Sequence, residues 1–127
     1  MTFWRDWVGL PWQLAADPRE GRGACCFRTA QAVREAMRMP WPADRMAPWY
    51  AMARAGDWDA LRLDWARLTV PIEQPEDGCL VRFDNKDGGF GVGVLPNKDT
   101  LIVVRHHGRL IAGPRSAFGN LDLYRLA

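Results

Sequence analysis

Several things are scarce in this chain, and each shortage narrows what it can be. Lysine is nearly missing: of seventeen basic residues fifteen are arginine, leaving only Lys86 and Lys98. Arginine pairs bidentately and is weakly hydrated, so it suits protein contacts, although a high-GC genome produces the same bias. No apolar run approaches the roughly 18 to 20 residues that cross a bilayer. The first residues, Met-Thr-Phe-Trp-Arg-Asp, have neither a basic start nor an apolar stretch, so no export signal is expected. Cysteines number three, Cys25, Cys26 and Cys79, an odd count with two adjacent. Neighbouring cysteines close almost no loop, so the expectation is reduced thiols in a cytoplasmic setting rather than a disulfide framework. The only histidines, His106 and His107, are also adjacent, and neither pair has the spacing that aims two donors at one ion. Neither a metal nor another cofactor is expected.

Excess charge is lacking as well. The net charge is +2, and dividing the chain between Asp64 and Trp65 leaves +1 on each half (nine basic minus eight acidic, then eight minus seven). Nothing in that balance asks for nucleic acid. There are no repeats and no low-complexity tract, and 127 residues is one domain with no room for a second. Hydrophobic residues make up 48% and include seven Trp and five Phe, which is ample for a real core.

The patterning changes character near residue 70. Thr2 to Val8 reads as a short amphipathic helix bearing Phe3, Trp4 and Trp7, stopped by Gly9 and Pro11. The turn residues Asp17-Pro18, Gly21 and Gly23 predict a surface loop over 12–24. From Cys25 to Met39, Cys26, Ala30, Val33 and Met37 step along one helical face, and Pro40 and Pro42 end the helix. A helix over 48–55 closed by Gly56, then one capped by Asp57 with Trp58, Leu61, Trp65 and Leu68 on one face, predict a helical hairpin. Beyond residue 70 the runs are short and β-type. Five strands are expected: Val70 to Ile72 leading into Cys79 to Phe83, then 90–95, 101–105, 109–112 and 121–125. Turns are expected at 85–89, 96–99 and 106–108. Helices first and hairpin-linked strands after give an α+β class, with an antiparallel sheet packed on the earlier helices.

One residue stands out chemically. Cys26 falls in the first turn of a helix just after a Gly-rich loop, where unpaired backbone N–H groups and the helix dipole favour a thiolate. Two readings stay open on that placement: a nucleophile, or the first apolar residue of the buried 26, 30, 33, 37 face. An exposed Cys26 at the base of a groove should have a depressed pKa, and a buried one should resist labelling.

The segments Val8-Gly9-Leu10-Pro11-Trp12, Leu14-Ala15-Ala16-Asp17-Pro18 and Gly23-Ala24-Cys25-Cys26-Phe27 resemble, in order, the opening of the NlpC/P60-type cysteine peptidases. The similarity is greatest to the branch found in tails of bacteriophages and related particles. It continues at Pro75-Glu76-Asp77-Gly78-Cys79-Leu80-Val81-Arg82-Phe83, at Gly91-Val92-Gly93-Val94 and at Leu123-Tyr124-Arg125-Leu126, so it covers nearly the whole chain. The resemblance implies a papain-like fold in which the helix starting at Cys26 packs on an antiparallel sheet, with Cys26 as nucleophile.

Carried over residue by residue, the functional pattern breaks. Cys25 stands where the family has an Asp, Arg28 where it has a Gly, and Cys79 where it has the Asp of a Gly-Asp strand. The general-base His falls on Gly91. A thiol peptidase needs an imidazole to take and return the proton. His106 and His107 are the only substitutes in the sequence, and a His-His-Gly hairpin tip is equally a solvated turn.

The resemblance therefore implies a catalytically inactive NlpC/P60-like domain of a virion tail tip, made in the host cytoplasm and docked on hub and neighbouring tail proteins. Arginine and tryptophan in 12–22 and 41–49 would suit such contacts, and Trp41, Trp49 and Trp58 would equally suit a core. The rival is an active peptidoglycan endopeptidase that cleaves stem peptides with Cys26 as nucleophile and His106 or His107 as base. A third reading is a thiol redox or acyl-transfer domain using Cys25 and Cys26.

Overall fold

In a computed structural model that describes residues 2–85 and 88–127, three α-helices precede a sheet of six strands. The helices are α1 (Cys26–Ala36), α2 (Met46–Ala55) and α3 (Trp58–Leu68). The strands are β1 (Thr69–Ile72), β2 (Leu80–Asp84), β3 (Phe90–Asn97), β4 (Thr100–Val104), β5 (Leu110–Pro114) and β6 (Asp122–Leu126). Every strand pairing is antiparallel, in the order β1-β6-β2-β3-β4-β5. The architecture is α+β. Among the described residues no helix is long and apolar enough to cross a membrane.

The expected count of five strands is corrected to six. Residues 70–72 and 79–83 do not form one run, because the last strand inserts between them. β6 pairs with β1 through Thr69↔Leu126 and Ile72↔Leu123, and with β2 through Leu80↔Tyr124. The turn at 73–79 lets the chain step over that position. It contains Gly78 at φ +80, where an added Cβ would come within 2.2 Å of Met39 Sδ. Insertion of a distant strand leaves no local mark, since alternation reports which face is buried and not which strand lies alongside.

β3 is a central strand that nevertheless contains Pro96. Its pairing to β4 shifts between Val94↔Ile102 and Asn97↔Thr100, and such a bulge is where a sheet tolerates a residue with no N–H to give. Lys98 and Asp99 then make a two-residue hairpin loop. The expected turn at 85–89 includes Lys86 and Asp87, which lie outside the described residues. At its flanks Asn85 N–H donates to the Gly89 carbonyl at 2.7 Å.

Two expected helices shrink. The Thr2 to Val8 segment forms only a 3-10 turn at Arg5–Trp7, with i→i−3 bonds such as Trp7 N–H to Trp4 C=O at 3.0 Å. The run is too short to cover the cost of nucleating an α-helix, and contacts hold it instead. Trp4 is buried, with Phe3 against it at 5.0 Å between ring centroids. α1 ends at Ala36, three residues before the expected Met39. Arg38 adopts the left-handed conformation at φ +58, Met39 N–H donates to Arg34 C=O, and Arg38 N–H donates to Glu35 C=O. That is a Schellman closure, and it stops the helix ahead of Pro40.

The core lies between the helices and one face of the sheet. Trp49 and Trp65 are each 1% exposed, with ring centroids 6.4 Å apart, and Phe27 and Phe90 pack beside them. Trp49 is thus core, which removes it from the expected contact surface. Asp64 fastens the α2–α3 hairpin, accepting from Trp49 Nε1 at 2.6 Å and from Arg45 Nε at 2.9 Å. A second apolar layer (Cys79, Val81, Leu95, Leu101, Leu123) lies apart from the first, flanked by the half-buried Phe83 and Phe118.

The α1 closure generates a stability expectation. Arg38→Gly removes the Cβ strain of the left-handed conformation, worth about 1 kcal/mol. The urea midpoint should rise with an unchanged slope, and a fall would contradict this view of the helix end.

Candidate functional site

The chain approaches α1 through a loop that is held far more firmly than a surface loop. Gln13 N–H donates to Ala24 C=O, Ala24 N–H to Pro11 C=O, and Cys25 N–H to Ala16 C=O, each at 3.0 Å. Gly23 lies where a Cβ would come within 2.8 Å of Gln13 Oε1 and 3.1 Å of Pro11 O. Asp17 caps the 3-10 turn Pro18–Glu20 by accepting from Arg19 N–H at 2.9 Å. Arg19 adds an ion pair to Asp17 and another to Glu35 on α1, both at 2.8 Å. Residues 12–24 are therefore a strapped wall beside the helix start.

Cys25 is the N-cap of α1. Its Sγ accepts from Arg28 N–H at 3.5 Å and lies 2.6 Å from Tyr50 Oη, a contact in which either group can donate. A thiol that already accepts from the amide is free to donate to the phenol. An Asp at this position would cap equally well and would add a charge, so Cys25 keeps the cap without the charge. Burial pushes the Cys25 thiol up, against the pull of Tyr50 and the Arg28 amide. Burial also pushes the Tyr50 phenol up, with Cys25 adding to it. The pair is neutral at physiological pH.

Cys26 opens the helix, half-buried, and lines a groove of about 690 Å³. The thiol is not activated there. Burial pushes it up to about 12, the neighbouring Cys25 sulfur works in the same direction, and the amides of Val92, Phe27 and Cys26 itself offset this only in part. Placement at a helix start favours the thiolate and desolvation opposes it, and here desolvation wins.

Gly91, the position of the family's base, faces that sulfur. A Cβ built on Gly91 has Cys26 Sγ, at 3.8 Å, as its one heavy-atom neighbour within 4 Å. β3 therefore passes the thiol at Gly91 and presents no side chain there. His106 lines the same groove and His107 does not. Both are exposed at the β4–β5 turn and lean on Trp12, each with 4.7 Å between ring centroids. Among the described residues neither imidazole has a hydrogen bond to Cys26. His107 sits at φ +59, which belongs to the tight turn closed by Gly108 N–H to Arg105 C=O at 2.8 Å.

Cys79 is elsewhere, buried in the second apolar layer, with its thiol pushed up by burial. Beside it the buried Arg34 donates to Gly78 C=O at 2.6 Å and to Pro40 C=O at 2.9 Å. All three cysteines are free thiols. Two site residues escaped the sequence reading: Tyr50, the partner of Cys25 across 25 residues, and Arg105, the cation at the groove mouth. Neither carries a local signal, because each gains its place only when distant segments meet. Trp12, expected among the contact residues of its loop, is the platform for both histidines.

No protein-family model and no curated protein sequence matches the chain.

Two expectations follow. Because the Cys26 thiol is raised in the folded state, its stabilising contribution is complete below about pH 9 and is lost as pH climbs toward 12. Iodoacetamide should therefore label native Cys26 slowly at neutral pH, with a rate that climbs about tenfold per pH unit and shows no plateau through the moderately alkaline range. Rapid neutral labelling would refute the desolvated thiol. Asp17 shows the opposite sign. Burial raises its carboxyl, but the hydrogen bonds from Arg19 outweigh this and leave it lowered, so its contribution is present above about pH 4 and disappears below. Asp17→Asn keeps a capping oxygen but loses the charge paired with Arg19, so it should cost a few tenths to about 1 kcal/mol at neutral pH and make the acid limb of the stability curve shallower. An unaltered acid limb would show that the strap does not depend on this charge.

Proposed function

We propose that this chain is a catalytically silent NlpC/P60-like domain that serves as a structural part of a bacteriophage or phage-like tail tip, docking on hub proteins. The ordered motif resemblance supports the family reading, and the packing of α1 on β3 is compatible with it. The observation that carries the silent reading is the pair Cys26 and Gly91: the thiol faces a residue with no side chain and is raised well above neutrality by burial. Acyl transfer by a cysteine needs a thiolate and a proton carrier in hydrogen-bond reach, and neither is supplied.

One observation favours the rival endopeptidase: His106 shares the groove with Cys26. For that mechanism the ring would have to leave Trp12 and approach the sulfur.

The deciding experiment incubates the purified protein with peptidoglycan sacculi and searches for new amino termini by mass spectrometry. None above background is expected. In particles, Cys26→Ala should leave assembly and infectivity unchanged. Muropeptide release that disappears in Cys26→Ala would overturn the silent reading in favour of the endopeptidase.

A further inference from the structure

We propose that the groove over Cys26 is a docking channel for an extended segment of a partner protein bearing apolar side chains and a carboxylate. The inference rests on the docking reading above and assigns the surface and the chemistry of its partner.

The volume of about 690 Å³ falls within the range of roughly 300 to 1,000 Å³ common to built binding sites. Its walls are mainly carbon. Trp12 and Leu14 come from the strapped loop, Trp58 from α3, and Phe83 and Phe118 from the second apolar layer. The lining thus extends from the helix start to Phe83 and Phe118 of the second layer, and the volume leaves room for several consecutive side chains of an occupant. Aromatic side chains with one arginine are the usual composition of interface hot spots. The absence of a side chain at Gly91 leaves the floor open down to the Cys26 sulfur, so the feature that removes the base also deepens the channel.

Charge selects the occupant. Among the described residues lining the groove, Arg105 is the one permanently charged side chain, and no carboxylate lines it. Arg105 is exposed and, like several other arginines of the chain, has no ion-pair partner among the described residues; its distinction is that it lines the groove. An unpaired guanidinium at the mouth of an apolar channel favours an acidic group and rejects a basic one. The carbon-lined walls favour leucine-like side chains over the small polar groups of a cell-wall stem peptide.

The test titrates the full chain by calorimetry with two synthetic peptides of equal length, one alternating leucine and aspartate, the other leucine and lysine. A muramyl stem peptide is the third titrant. The aspartate peptide is expected to bind at least about tenfold more tightly than the other two. Arg105→Glu should reverse the preference between the first two. Gly91→Leu, which fills the floor without a backbone clash, should abolish binding of both while the melting transition is retained. Equal binding, no binding, tightest binding of the stem peptide, or a preference that survives Arg105→Glu would each overturn the assignment. Incorporation into tails separates the two proposals. If peptides fail while the protein still enters particles, the channel is wrong and docking stands. If peptides bind while the protein never enters particles, the tail-tip reading fails.

Discussion

Desolvation at the start of α1 is the constraint on which the rest of this molecule depends. The helix is covered by β3 on one side and by α2 and the 12–24 strap on others, so Phe27, Thr29, Ala30, Gln31, Ala32, Val33 and Arg34 are all buried. Several polar groups of the enclosed helix find partners inside the fold, while Thr29 Oγ1 and Arg28 Nε are buried with no hydrogen bond among the described residues. Cys25 takes the capping amide and meets Tyr50, and Arg34 near the other end finds two carbonyls. The enclosure that anchors the helix is also what raises the Cys26 thiol. Fold stability and thiol reactivity are therefore in opposition at one residue, and the structure favours stability.

Cys25 at the cap of α1 and Gly91 on β3, the two neighbours of the Cys26 thiol, place no charge beside it. Neutral Cys25 caps the helix without placing a carboxylate beside a raised thiol and a raised phenol. Gly91 leaves space instead of an imidazole. Cys79 sits among Val81, Leu95 and Leu101 in the second layer, with the buried Arg34 beside it. At the surface above Cys26 and Gly91 lies a mainly apolar groove whose one permanently charged lining residue, among the described residues, is Arg105.

Much of this was legible in the residues. The α+β division near residue 70, the Asp57 cap of α3, the start of α1 and the hairpin at 106–108 follow from caps, turn residues and periodicity, which are local. The misses have different causes. The insertion of β6 between β1 and β2 is decided by distant packing, the early stop of α1 by Arg38 in an unfavoured conformation, and the loss of the first helix by a run too short to nucleate. At the site, the sequence located Cys26 and the vacancy at Gly91. It did not reveal that burial would outweigh the helix terminus, because Tyr50 and Arg105 reach the site only through the fold.

The central claim is that Cys26 is a neutral thiol in the folded protein. Its direct measurement is the Cβ resonance of isotopically labelled cysteine, assigned with Cys26→Ala and followed by NMR through the neutral range. The resonance should hold its thiol position until the strongly alkaline region. A thiolate shift completed near or below neutral pH would contradict the account, since it would require the helix start to prevail over burial.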